Sequence, residues 1–508
     1  MNPPTAPIRA QVRALLCLIA LTLTTIALPA GSAAAASPAP PKVKETSKGS
    51  VVALVAPFAT GEDVADWQGF AAQELLTDLF AQAGNGSFVS SKQLDSVLRR
   101  KDLQLYDAAD LDVALPIARA LGVTDLVVGE IKKEGGKLVV NARRIVVNAK
   151  AASRTVTASG EDLTTICVEL ADKLLDAKTN AGPFTTNMKA LEEATLCWLD
   201  LVKYPLQPRV GAVPPLDHAD AIESHCKAAT AADPKLGWAH AGLAILLSLK
   251  DQGAAGRAEA KESQKGRFNA WGYIADAFCA RRMGDLPAAK AALEWGIKER
   301  PGFLLAVGYL AEDRMEAEDY KGAVAAWDRY LKKAPHHPFA LAQKGKALGY
   351  LKKDREALSL TRQALDFDPG DPELLIELGS RLIDAKQNQE AESTLRQAME
   401  ARPPRPLAWL RLGWLYLQQK RVQDAHDVLV EAVTYAYRED EARTRGYAFL
   451  DLAEVAGLQG KPAEAMEYLT AAKAEGMKKF PCAAESLQAL RGKPEFTALC
   501  AAQTPGGK

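Results

Sequence analysis

The chain has 508 residues, 48% of them apolar, with 63 Lys+Arg balanced by 63 Asp+Glu. That length holds two or more folded units with real cores. The balance argues against a dedicated nucleic-acid binder, which needs a basic face, and seven cysteines are too sparse for a disulfide scaffold.

Residues 1–36 read as a signal peptide. Arg9 and Arg13 form a positive n-region, Leu15 to Leu28 an apolar h-region, and Gly31 to Ala36 a small-residue run with an A-x-A cut before Ser37. The apolar run falls short of the about 20 residues a span requires. Cys17 precedes most of the h-region, the wrong place for a lipoprotein cysteine. No later segment is apolar enough to span a bilayer, so the chain is expected to be exported, periplasmic or secreted. Cleavage would leave Cys167, Cys197, Cys226, Cys279, Cys482 and Cys500. Cys482–Cys500 is the first candidate disulfide and Cys197–Cys226 the second; the alternative is that several are free, buried and apolar.

Residues 37–49 (SPAPPKVKETSKG) read as a flexible tether. Residues 50–180 change character. Val51 to Phe58 is a buried strand. Asp66 to Gln82 reads as an amphipathic helix with Phe70, Leu75, Leu79 and Phe80 on one side. Ser87 to Ser90 is a short strand, Leu94 to Arg100 starts a helical stretch, and Asp110 to Leu121 is a helix with Asp110 as N-cap and Gly122 as stop. Strands follow at Asp125–Ile131, Leu138–Val147 and Ser153–Ala158, turned at Glu134-Gly135-Gly136 and Asn148-Ala149-Lys150. Asp162 to Ala177 closes the unit as a helix, giving the order βαβααβββα.

The run "DLDVALPIARALGVTDLVVGEIKKEGGKLVVNARRIV", with "VVALVAPF" and "FAAQELLTDLF" before it, resembles the TolB amino-terminal-domain-like family. The likeness implies a mixed-sheet α/β docking domain of bacterial envelope proteins, without catalytic motifs. Similar domains occur in lipoprotein activators of peptidoglycan synthases.

Thr179 to Pro183 (TNAGP) reads as a linker. Beyond it an alanine recurs every 34 residues, at Ala221, Ala255, Ala289, Ala323, Ala357, Ala391 and Ala425. A small residue sits twelve places before most of them (Ala277, Ala311, Gly345, Gly379, Gly413), and Pro301, Pro335, Pro369 and Pro403 close four units. Such a period means stacked helical hairpins, none able to bury its apolar face alone. The unit resembles the tetratricopeptide repeat, best in Trp409, Leu412, Gly413, Tyr416, Ala425, Leu429 and Ala432. The expected architecture is an α/β domain (50–180) followed by an all-α right-handed solenoid of seven to eight repeats (184–480), with a capping segment and tail (481–508). The unit around Ala255 looks degenerate, with Glu259 and Glu262 where small or apolar residues belong. Four prolines in Tyr204–Pro215 interrupt the first hairpin, and a six-residue insertion precedes Ala465.

No catalytic, cofactor or metal constellation is legible. There is no G-x-x-x-x-G-K-[ST] loop, no G-x-S-x-G elbow and no C-x-x-C. His336-His337 lies in an inter-repeat turn without further ligands. In tetratricopeptide arrays, first-helix positions two, five, nine, twelve and thirteen face the concave groove. Carried onto this sequence, they give a candidate partner-binding set of Phe278, Arg281, Arg282, Met315, Lys346, Tyr350, Trp414 and Tyr447, basic near Arg281 and aromatic near Tyr350 and Trp414. Aromatic and arginine side chains anchor interfaces. Ile274, Gly308, Ala342, Ile376 and Leu410 at the fifth position rule out the family's carboxylate clamp. The expected function is a non-enzymatic adaptor of the bacterial cell envelope with a protein or peptide partner, periplasmic or peripheral at the outer membrane. The alternatives are a regulator of peptidoglycan synthesis acting through the α/β domain, or an enzyme with an unrecognised site in a polar pocket between that domain and the first hairpins.

Overall fold

The computed structural model describes residues 51–82, 86–147, 154–176, 178–179, 181–202, 218–266, 270–401, 405–438 and 441–501. The signal segment, the tether, the Asn148–Lys150 turn and the Tyr204–Pro215 stretch lie outside these residues.

Strands β1 (Val51–Val55), β2 (Ala59–Thr60), β3 (Gly86–Val89), β4 (Asp125–Glu134), β5 (Lys137–Val146) and β6 (Arg154–Gly160) build one mixed sheet. The order is β3-β1-β4-β5-β6, with β2 also on β4. β1 runs parallel to β3 and β4, setting Leu54 opposite Val89 and Leu126. β4, β5 and β6 are antiparallel, and Glu134 faces Lys137 across the Gly135-Gly136 turn. Helices α1 (Trp67–Gln82), α2 (Ser91–Arg100), α3 (Leu111–Ala120) and α4 (Leu163–Leu175) cover the sheet. Their starts are set by side-chain caps that satisfy the free N–H groups of a first turn. Ser90 and Gln93 form a reciprocal capping box, so α2 begins at Ser91, earlier than its apolar pattern implied. Asp110 accepts from the Asp112 amide at 2.9 Å, and Asp162 from those of Thr164 and Thr165 at 3.0 and 3.1 Å.

Helix α1 departs from its expected amphipathic character. Every residue from Gly69 to Ala81 is buried, Gln73, Glu74, Thr77 and Asp78 included. A helix buried all round needs two walls. The sheet is one, and the solenoid is the other.

The rest is helical hairpins, each a first and a second helix: α5/α6 (Met188–Leu201, Ala219–Ala232), α7/α8 (Gly237–Leu249, Gly253–Lys265), α9/α10 (Ala270–Arg282, Leu286–Glu299) and α11/α12 (Leu305–Glu316, Tyr320–Lys333). They continue as α13/α14 (Pro338–Tyr350, Asp354–Leu365), α15/α16 (Pro372–Asp384, Asn388–Glu400), α17/α18 (Pro406–Gln418, Val422–Arg438) and α19/α20 (Ala442–Leu458, Pro462–Ala474). A 3-10 turn (Glu485–Leu490) covers the last hairpin, and α21 (Pro494–Ala501) follows it with Phe496 and Leu499 in the same core. First helices pack on their own second helix, each second helix but the last packs on the two first helices beside it, and first helices also pack in series over α5, α7 and α9 and over α13, α15, α17 and α19. The first helices therefore line the inner face.

Each of the seven hairpins from α7/α8 onward turns through a residue in the left-handed region. These are Asp251, Gly284, Glu318, Lys352, Lys386, Lys420 and Gly460, with φ between 58° and 78°. Their spacing shows where the alanine series misleads. Ala289, Ala323, Ala357, Ala391 and Ala425 are fully buried, but Ala221 and Ala255 are exposed. In the second hairpin Gly256 takes the close-packed place, where an added Cβ would lie 2.7 Å from the Ala244 carbonyl oxygen. Its register is shifted by one residue. With that shift Ala260 and Ser263 fall inside, both fully buried, and the acids that looked misplaced fall outside. Glu259 Oε2 holds His240 Nδ1 at 2.7 Å.

An L-residue in the left-handed region costs about 1 kcal/mol, offset in part by the greater unfolded-state entropy of glycine. Gly284→Ala is expected to lower stability by about 1 kcal/mol, since its Cβ would meet nothing within 4 Å and only the backbone cost acts. Lys386→Gly should raise stability by up to about 1 kcal/mol. Urea unfolding of the two variants checks both signs.

Candidate functional site

The α/β domain does not sit apart on a linker. Phe184 and Thr185 are buried, and the Thr164 hydroxyl donates to the Thr185 carbonyl at 2.6 Å. Four large rings from the first repeats then form the second wall for α1. Trp198 packs on Trp238 and Trp271, with ring centroids 5.9 and 4.7 Å apart, and Trp271 meets Phe303 edge-on at 5.5 Å. Phe70 of α1 reaches Trp238 at 6.2 Å. The apolar core runs without a break from Val52 through these rings to Ala340.

Polar contacts fix the register of this seam. The Trp271 indole N–H donates to Glu74 Oε2 at 3.2 Å, Lys92 Nζ to the Val202 carbonyl at 2.6 Å and Gln93 Nε2 to the Tyr330 hydroxyl at 2.7 Å. The Phe88 amide donates to the Gly302 carbonyl at 3.2 Å, so the exposed edge of β3 is closed by an inter-repeat loop. Gly122 (φ +64°) lies so close to His336 that a Cβ would stand 1.9 Å from its carbonyl oxygen. Arg100 and Lys101 pair with Asp371 and Asp368 at 3.0 and 2.9 Å. The domain thus braces repeats one to five.

Burial pushes the Glu74 carboxyl up to about 7, with hydrogen bonds from Ser91 and Trp271 pulling back and Asp78 adding to the rise. It pushes Asp78 up to about 6 against the pull of Arg300. Burial also drives His337 down to about 3, so it stays neutral and its Nδ1 accepts from the Ala340 amide to cap α13.

The candidate groove residues fall into different surroundings. Phe278 and Arg281 are each 6% exposed. Arg281 is clasped by Asp313 and Glu316 of the next first helix, so neither offers a surface to a partner. Arg282 bonds to the Ser248 carbonyl and Asp251. Met315 and Lys346 are half-buried. Tyr350, 50% exposed, stacks on Tyr320 at 4.6 Å. Trp414 is partly buried against the C-terminal core. Tyr447 is 41% exposed, with Arg443 5.8 Å from its ring centroid. Basic character near Arg281 is therefore neutralised, and the accessible aromatics lie in repeats five, seven and eight.

Cys197 bonds Cys226 across the first hairpin, and Cys482 bonds Cys500 across the cap. Cys167 and Cys279 are free and buried, and burial pushes the Cys279 thiol up to about 12. An open cleft of ≈ 440 Å³ separates the β4–β5 hairpin from α5, lined by Trp67, Gln68, Lys133, Glu161, Lys189 and Glu192 among others. Lys133, Glu161 and Lys189 lie exposed at its rim, so the cleft lacks the enclosed, convergent titratable groups of an active site. Among the described residues no three His, Cys, Asp or Glu side chains gather as metal ligands, and no helix is long and apolar enough to cross a membrane.

The seam itself escaped the sequence. Its partners are far apart in the chain, Glu74 and Trp271 by 197 residues. The one available signal is Trp198, Trp238 and Trp271, large rings concentrated in the repeats that match the pattern worst.

A Glu74→Gln change tests the buried acid. Its raised pKa means its stabilising contribution is complete below about pH 4.5 and lost as pH climbs through about 7. The loss should reach roughly 3 kcal/mol at most. Urea melts should show the variant more stable than the parent at pH 8, with the gap closing by pH 5.

Family models of the tetratricopeptide repeat match residues 280–338 and 382–444. No curated protein matches the chain. Similar solved structures include a tetratricopeptide repeat protein from Parabacteroides merdae, 13% identical, covering 52% of this chain and 98% of its own, with a TM-score of 0.41. MamA from Desulfovibrio magneticus RS-1 is 19% identical over 34% of this chain and 97% of its own, with a TM-score of 0.30. The human IFIT1 dimer with m7Gppp-AAAA is 14% identical over 61% of this chain and 76% of its own, with a TM-score of 0.38. The helical array is thus built of tetratricopeptide repeats, a fold that typically serves as a non-enzymatic scaffold for protein–protein interaction.

Proposed function

We propose that the protein is an exported adaptor of the bacterial cell envelope that binds a protein or peptide partner on the inner face of repeats five to eight. The observation that carries this reading is the placing of Tyr350, Trp414 and Tyr447. All three stand on first helices, which this reading takes as the inner face, and Tyr350 and Tyr447 are well exposed. Half-exposed aromatics on a rigid helical face are the side chains that anchor interfaces. The α/β domain shares its apolar core with repeats one to four, and its last contacts are the ion pairs to Asp368 and Asp371 in the loop that leads into repeat six. The two disulfides support export, because such bonds persist in oxidising compartments. The α/β domain is read as one of the TolB amino-terminal-like type, on its mixed sheet and the GGK hairpin, and attachment at the outer membrane would come through the partner.

The test is photocrosslinking in living cells from a photoreactive residue at Tyr350 or Trp414, with exposed Gln397 on the second helix α16 as control. One dominant envelope protein captured from the first two sites and not from Gln397 is the expected result. Equal adducts from all three, or none, would overturn the groove assignment.

A further inference from the structure

The hydrophobic interior thins in the middle of the array. One core ends at Ala340 and a second runs from Leu358 to Leu499, and between them the buried cluster is Leu341, Ala342, Ala364 and Leu374, joined to the two cores by the partly buried Leu331 and Leu365. The thin point is repeat five. Beside Pro338, Leu341, Leu348 and Leu358, its helices bury small residues: Ala340, Ala342, Gly345, Ala347 and Gly349 on α13, and Ala357, Thr361 and Ala364 on α14. Repeat seven buries Trp409, Leu410, Leu412, Leu415 and Tyr416 in one helix. Little apolar area leaves little resistance to bending. Two glycines inside α13 weaken that helix further, by about 1 kcal/mol each relative to alanine.

The α/β domain spans this point. On one side Gly122 presses against His336 and Gln93 bonds to Tyr330 of repeat four. On the other, Arg100 Nε reaches Asp371 Oδ2 at 3.0 Å and Lys101 Nζ reaches Asp368 Oδ2 at 2.9 Å. Asp371 is also the N-cap of α15, accepting from the Glu373 and Leu374 amides at 2.8 and 3.0 Å. The Arg100 pair is largely shielded, with side chains 19% and 2% exposed, so solvent screens it less than a surface pair. Glu373 extends the ionic seam to Arg405 at 3.3 Å. A weak repeat is thus bridged by two ion pairs whose cations belong to another domain.

We propose that repeat five is a hinge between two stiff bodies, and that Arg100 and Lys101 latch it shut against Asp371 and Asp368. One body is the α/β domain with repeats one to four. The other is repeats six to eight with the cap. Opening the latch swings the second body and changes the curvature of the inner face at Tyr350.

The test places spin labels at Glu134→Cys, on the β4–β5 hairpin, and Lys473→Cys, on α20, both exposed. The free native thiols are buried and leave the labelling clean. Double electron–electron resonance should give one narrow distance distribution for the parent. Arg100→Ala/Lys101→Ala should add a second population, with about a tenfold rise in the open-to-closed ratio, equal to about 1.4 kcal/mol. The swap Lys101→Asp/Asp368→Lys should keep the narrow distribution, and Lys250→Ala, which removes ion pairs with Asp220 and Glu223 inside the first body, should change nothing. Raising NaCl from about 0.05 to about 1 M should broaden the parent in the same direction; this arm decides the matter if the double variant fails to fold. Unchanged narrow distributions in a folded double variant and at high salt would overturn the hinge.

Discussion

Helix α1 is the piece on which the rest depends. Its residues from Gly69 to Ala81 are all buried, and a sheet can cover only one side of a helix. The second wall is Trp198, Trp238, Trp271 and the neighbouring Phe303. Each side of the seam would otherwise expose a large apolar face to water, at about 25 cal/mol for every Å². The repeat pattern is correspondingly poor in the first hairpins. Their inner positions answer to α1 and the sheet as much as to the next repeat.

This constraint divides the labour along the array. The early repeats pack on the chain's own α/β domain, and their Gly302 loop closes the edge of β3 at Phe88. Arg281, drawn into pairing with Asp313 and Glu316, belongs to the same stiffening of the N-terminal body. Later repeats follow the pattern closely, with Gly379 and Gly413 set against Leu395 and Leu429, and keep Tyr350 and Tyr447 exposed on their first helices.

How much of this was legible in the sequence follows from range. The 34-residue period and the small residues Ala277, Ala311, Gly345, Gly379 and Gly413 report contacts within one hairpin, so they are written locally. Caps at Asp110 and Asp162 are local too. The alanine series failed at Ala221 and Ala255 because a one-residue shift in the early hairpins kept an alanine at the expected number while Gly256 took its packing role. The polar side of α1 read as solvent-facing because nothing nearby in the chain reveals that Trp271 will meet Glu74. The groove residues were a projection of family positions, which place a residue on a face and say nothing of whether, as at Phe278 and Arg281, that face is already filled.

The shared core is most directly tested by hydrogen exchange on residues 183–508 made without the α/β domain. If the first four repeats depend on that domain, amides of α5, α7 and α9 should lose protection while those of α15, α17 and α19 keep it. Protection of the early repeats equal to that in the whole chain would contradict the account, and would mean that the solenoid stands alone and merely carries its neighbour.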